Sequence, residues 1–189
     1  MAQCHTGESN MTNECRVYVA CLACYVEGKL NGQWMTADEL DIAWDHDWSD
    51  DNGKRILCPH DEHEEWAIHD YDMHGVNLGE HPDIADLIEL MRLVDEDSDY
   101  AIALELVKGV GADYDAQRIM EVRDAMVCYD CRGDWAREMC EDIYHAELEA
   151  LPHFITHTID WDWVGRELEY DYYTHDVGYA TYAIHVGEF

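Results

Sequence analysis

Lysine is almost absent from this chain: three occur in 189 residues, at Lys29, Lys54 and Lys108, and arginine brings the basic total to only 11. So few cations cannot make the positive footprint that direct nucleic-acid binding requires. The same sign argument excludes attraction to an anionic membrane surface. No apolar run approaches the roughly 20 residues of a membrane-spanning helix, and Met1–Asn13 has neither the basic start nor the apolar centre of an export signal. The expectation is a cytoplasmic protein whose eight cysteines are reduced. Catalytic signatures are missing too. There is no G-x-S-x-G, no P-loop and no Rossmann glycine pattern. His63-Glu64 begins a metalloprotease HExxH but meets Ala67 where the second histidine belongs. A calcium loop starting at Asp47 fails at Asn52, where glycine is needed, and at Cys58, where glutamate is needed. No enzyme and no cofactor are expected.

What is abundant is acid. Asp and Glu total 43, for a formal net charge of −32, against a magnitude of about 2–8 for an ordinary small domain. The thirds 1–63, 64–126 and 127–189 carry −8, −13 and −11, so no acidic tail accounts for the excess. Self-repulsion on this scale opposes compactness, yet 48% of the residues are hydrophobic and are interleaved with the acids, enough to fold. Charge spread along a rod repels less than charge in one sphere, which favours an elongated chain of small domains. The partner that fits such a protein is a strongly basic surface.

Arg16–Val26 (RVYVACLACYV) is apolar on both alternating faces and predicts a buried strand. Turn chemistry at Glu27-Gly28 and Asn31-Gly32 precedes a returning strand at Gln33–Met35. Ala37–Trp48 predicts a short acidic helix, followed by a turn-rich Ser49–Gly53, and Glu65–Tyr71 alternates as another strand. After His81-Pro82, the residues Ile84, Leu87, Ile88, Met91 and Val94 follow helical spacing, with Asp83, Asp86 and Glu89 opposite. Ser98 and Asp113 are candidate caps for two further helices. A turn at Arg132-Gly133 introduces a helix over 134–144, and Pro152 breaks the chain. A helix over Asp160–Tyr170 with Trp163, Val164 and Leu168 inward precedes a last strand at Tyr179–Val186. There is no internal repeat.

Two CxxC pairs invite a zinc site. Cys21 and Cys24 fall on the predicted strand, where positions three apart face opposite sides, which argues against joint ligation. Cys128 and Cys131 lie at a turn with Cys140 and His145 downstream. Cys58, His60 and His63 form a looser group. Ordinary thiols are the preferred reading, and no metal is expected.

Several segments in order resemble the ArdA antirestriction family: RVYVACLACYVEGKLNGQW (Arg16–Trp34), EEWAIHDYDMHG (Glu64–Gly75), WAREMCEDIY (Trp135–Tyr144) and IDWDWVGRELEY (Ile159–Tyr170). The resemblance implies an α+β protein built as an elongated chain of three small domains. These would be an N-terminal α/β domain over 14–78, a central helical domain over 79–127 and a C-terminal α/β domain over 128–189. It implies a homodimer paired through the C-terminal region, with part of the cluster Trp161, Trp163, Tyr170, Tyr172 and Tyr173 near that contact. It also implies a DNA mimic that occupies the DNA-binding groove of a type I restriction-modification enzyme. The long N-terminal tail and the many His, Cys and Trp residues depart from the family pattern.

Duplex DNA presents one phosphate charge per about 1.7 Å of axis, and helical acids three apart make comparable rows. Three groups of acids are the expected DNA-like surface. The first is Asp38, Glu39, Asp41, Asp45, Asp47, Asp50 and Asp51. The second is Asp83, Asp86, Glu89, Asp95, Glu96, Asp97 and Asp99. The third is Glu138, Glu141, Asp142, Glu147 and Glu149. For any one of them, a solvated helix face is the plainer reading. Composition leaves two alternatives open: an acidic protein of other function adapted to high salt, or a DNA mimic aimed at a different DNA-binding protein.

Overall fold

The computed structural model describes residues 14–49, 53–60 and 62–188. Its contacts gather into two compact units, one holding 14–105 and 114–120, the other 106–113 and 121–188. Both mix helix with antiparallel sheet, so the α+β class is correct.

The first unit is built on a three-stranded sheet in the order β2-β1-β3, where β1 is Arg16–Cys21, β2 Gly32–Met35 and β3 Trp66–Asp72. β1 is central because it is the strand apolar on both faces, with Val17, Val19, Ala20 and Cys21 all buried. Gly32 is required opposite it, since a Cβ there would collide with the Val19 carbonyl oxygen and sit 2.9 Å from the Ala20 Cα. β1 is shorter than its sequence predicts. After Cys21 the chain turns into helix α1 (Leu22–Val26). Alternation had implied a strand through Val26, but a five-residue helix is too short to show a period of its own. Cys21 N–H donates to the Asn31 carbonyl (2.9 Å) and Leu22 N–H to that of Glu65 (3.0 Å), pinning this corner.

Helix α2 (Ala37–Asp45) opens on a capping box: Glu39 N–H donates to the Thr36 hydroxyl (3.4 Å), and Thr36 N–H donates to the Glu39 carboxylate (3.0 Å). α2 packs on α3 (Ile84–Glu96), whose buried face is the predicted set with Leu90 added. Asp83 caps α3, so Pro82 lies just before the helix. α4 (Asp99–Gly109) and α5 (Ala116–Ala125) follow. At the start of α5 the capping carboxylate is Asp115, accepting from Arg118 N–H at 2.7 Å, two residues beyond the predicted Asp113.

The second unit contains β4 (Val127–Tyr129), α6 (Arg132–Ile143), α7 (His145–Ala150), α8 (His153–Thr156), α9 (Trp161–Leu168), β5 (Tyr172–Val177) and β6 (Ala180–His185), with the sheet ordered β4-β6-β5. β5 turns into β6 through a two-residue loop in which Gly178 takes φ +64°. Arg132 and Gly133 are not a turn but the first residues of α6. Glycine is there for packing, since its missing Cβ would lie 3.1 Å from the Asp162 carboxylate. α9 presents its buried Gly165 to α6, flanked by half-buried Trp161, Val164 and Leu168, and Trp163 is turned outward at 54% exposure instead of inward. Beneath, Tyr129 stacks on Trp135 with centroids 4.7 Å apart. The Tyr129 hydroxyl donates to Glu169 (2.7 Å), which also pairs with Arg132 (2.7 Å). Burial, then this carboxylate, push the Tyr129 phenol well above its ordinary pKa.

A methyl group on Gly165 would strike the Arg132 side chain and lie 3.0 Å from the Arg132 carbonyl oxygen. Gly165→Ala should therefore destabilise by about 1–3 kcal/mol, the usual cost of overpacking, although alanine is the better helix former. Thermal unfolding of the variant measures it; a raised Tm would show that the close α6–α9 approach is wrong.

Candidate functional site

No charged or polar side chain is buried among the described residues. The nominated acids sit at the surface, but they are not equivalent. In the first group, Asp38 and Asp41 both bind Arg92 of α3, at 3.0 and 2.6 Å. Glu39 is turned back into its capping box. Asp45 and Asp47 are exposed, and Asp47 takes φ +49°, a left-handed conformation that Asp tolerates. Asp50 and Asp51 lie outside the described residues.

In the second group, Asp83, Asp86 and Glu89 run along α3. Asp83 is exposed and its carboxylate accepts from Ala85 N–H (2.9 Å) and Asp86 N–H (3.1 Å). Asp86 is half-buried, and its carboxyl is held above the ordinary carboxylate range, first by burial and then by the charges of Asp83, Glu89 and Asp115. The helix dipole favours a carboxylate in this first turn, so burial and like-charge repulsion outweigh it. Further along, Asp95 accepts from Cys15 N–H at 2.6 Å, and Glu96 is exposed. Asp97 closes α3 and accepts from Asp99 N–H at 3.0 Å, leaving both half-buried. In the third group, Glu138, Glu141 and Asp142 on α6 and Glu147 and Glu149 on α7 are all exposed, and Glu149 lies 3.5 Å from His145 Nε2. The structure thus gathers the α3 row, places the third group on successive helices of the other unit, and ties Asp38, Glu39, Asp41, Asp83, Asp95 and Asp97 into hydrogen bonds. Of the aromatic cluster, Trp163 and Tyr170 are exposed, while Trp161, Tyr172 and Tyr173 are half-buried.

A second constellation was misread in the sequence. Because β1 ends at Cys21, Cys24 lies one helical turn on, and both thiols face the same side. Cys58 and His63 join them from the segment leading to β3, and the four ligand atoms lie within 4.8 Å of one another. Cys21, Cys24 and Cys58 are buried and His63 is half-buried. His63 Nδ1 is 3.5, 3.3 and 3.7 Å from the sulfurs of Cys21, Cys24 and Cys58. Asn31 Nδ2 donates to the Cys24 sulfur (3.2 Å), and the Arg55 guanidinium donates to the His63 carbonyl. The available signal was C-x2-C followed by C-x4-H, hidden by placing the first pair on a continuous strand. Cys128, Cys131, Cys140 and His145 do not converge in this way among the described residues.

No helix of the described residues is long and apolar enough to cross a membrane. None of the curated proteins matches the chain. The family model described as "Antirestriction protein (ArdA)" matches residues 17–181, a span that runs from β1 into β6 and includes the α3 acids and the α6–α9 pair. A match over nearly the whole length shows that this chain belongs to the ArdA antirestriction protein family.

Proposed function

We propose that the protein blocks restriction as a DNA mimic, seating its carboxylates in the basic DNA-binding groove of a type I restriction-modification enzyme and excluding DNA from it. Family membership supplies the antirestriction role. The observation that carries the mimicry is the α3 row, where Asp86 is kept above its ordinary pKa by burial and by the carboxylates around it. The share of that shift that comes from the neighbouring carboxylates is repulsion, and a lysine- and arginine-lined groove relieves that share. No base edge is offered, so recognition rests on shape and charge spacing, as phosphate contacts do on DNA. The three-domain division at 78 and 127, and pairing of two copies through the C-terminal region, belong to the same reading.

Competition at about 0.15 M salt, between the protein and labelled cognate DNA on a type I methyltransferase core, tests this directly. DNA should be released near one dimer per enzyme, less readily as salt rises. No release by folded protein would redirect the search to another basic partner or to salt adaptation. Neutralising the row stepwise with Asp83→Asn, Asp86→Asn and Glu89→Gln should weaken inhibition by about two- to fivefold per step, the scale of exposed ion pairs. Asparagine preserves the cap at position 83. Complete loss at one step, with folding intact, would point to a discrete site instead.

Asp86→Asn also separates function from stability. A carboxyl with a raised folded-state pKa contributes stability below the ordinary carboxylate range and loses it as pH rises through the folded value. The variant should therefore gain about 1–3 °C in Tm at neutral pH and nothing in acid, while inhibiting less well. Calorimetry at the two pH values reads the difference, and equal Tm shifts at both would refute the repulsion.

A further inference from the structure

We propose that Cys21, Cys24, Cys58 and His63 form a structural zinc site that staples the long connection between α2 and β3 onto the corner where β1 becomes α1. With Zn–S near 2.3 Å and Zn–N near 2.0–2.1 Å, a tetrahedral site has S···N edges of about 3.6 Å. The three S···Nδ1 separations here, 3.3, 3.5 and 3.7 Å, bracket that value. Hydrogen bonding alone does not account for the convergence. The Nδ1 of a neutral imidazole has one lone pair or one N–H, and three sulfurs are drawn to it. One cation at the centre satisfies all four atoms.

The donor set selects the metal. Three thiolates and an imidazole in a closed tetrahedron suit zinc and leave no position for substrate, so the site is structural rather than catalytic. On binding, the three thiols release their protons to solvent and His63 ligates in its neutral form, giving a centre with one net negative charge. The surroundings match a ligated cluster. Asn31 donates to the Cys24 sulfur, as a thiolate requires, and Arg55 fixes the His63 backbone. The connection also needs such a fastening. Twenty residues separate Asp45 from Trp66 with no helix or strand described among them beyond the isolated bridge Ser49–Arg55, and loops beyond about 12–15 residues without secondary structure are uncommon in compact domains. Trp48, Leu57 and Cys58 are nevertheless buried.

Metal analysis and X-ray absorption on the full chain, purified without chelator, test the proposal independently of inhibition. The expected result is one zinc per chain with a shell of three sulfurs and one nitrogen. Chelation should lower Tm by about 10 °C, the effect of removing a ligand present far above its dissociation constant. Cys58→Ser should lose the metal, whereas Cys128→Ser should retain it. If Cys58→Ser does not fold, the absorption shell of the unaltered protein decides. Absence of zinc, a shell other than three sulfurs and one nitrogen, or full retention of zinc by folded Cys58→Ser would each overturn the site.

Discussion

Like-charge repulsion is the constraint under which every other part of this protein is arranged. A formal charge of −32 cannot be taken into the interior, since an unpaired buried carboxylate costs several kcal/mol after relaxation. No charged residue is buried among the described residues, and the acids serve where their charge is locally welcome. Asp83 and Asp160 cap helices, Glu39 closes a capping box, and Asp38 with Asp41 converge on one arginine. Acid at a helix start is favoured by the exposed N–H groups and the dipole. The α3 row is where this accommodation is incomplete, and that residual cost is what ties the fold to the proposed role.

Elements with strong periodicity were legible in the sequence. The buried face of α3 and the pairing of β1 with β2 follow directly from residue patterns, because each is long or bounded by clear turn chemistry. What escaped was short or carried by glycine. α1 is a single turn and reads as a continuation of its strand. β5 (YYTHDV) buries no residue fully, so it lacks the alternation that marks a half-buried strand. Gly133 and Gly165 are packing surfaces, yet glycine gives no hydrophobic signal, so Val164 and Leu168 of α9 are legible as leaning inward while Gly165 is not, and Trp163, expected inward, is exposed.

The candidate site was legible as an ensemble rather than as residues. Net charge and the order of the family segments point to the role, but which acids stand free depends on tertiary neighbours that composition does not contain. Arg92 reaches Asp38 and Asp41 across more than fifty residues of chain. Conversely, the thiol–imidazole cluster depended on a single boundary, since moving the end of β1 from Val26 to Cys21 brings Cys24 round to the same side as Cys21.

Arg92 has a thermodynamic corollary. Free carboxylates hold a cloud of mobile cations, and docking onto a basic groove sets those ions free, a gain in solvent entropy that salt erodes. Asp38 and Asp41 carry instead a cation that is covalently part of the chain and cannot diffuse away. With one guanidinium between two carboxylates, the pair keeps a single negative charge and holds fewer mobile ions than two free acids would. The number of ions liberated on association therefore follows the acids left over after internal pairing, and falls short of what the 43 acids of the sequence imply.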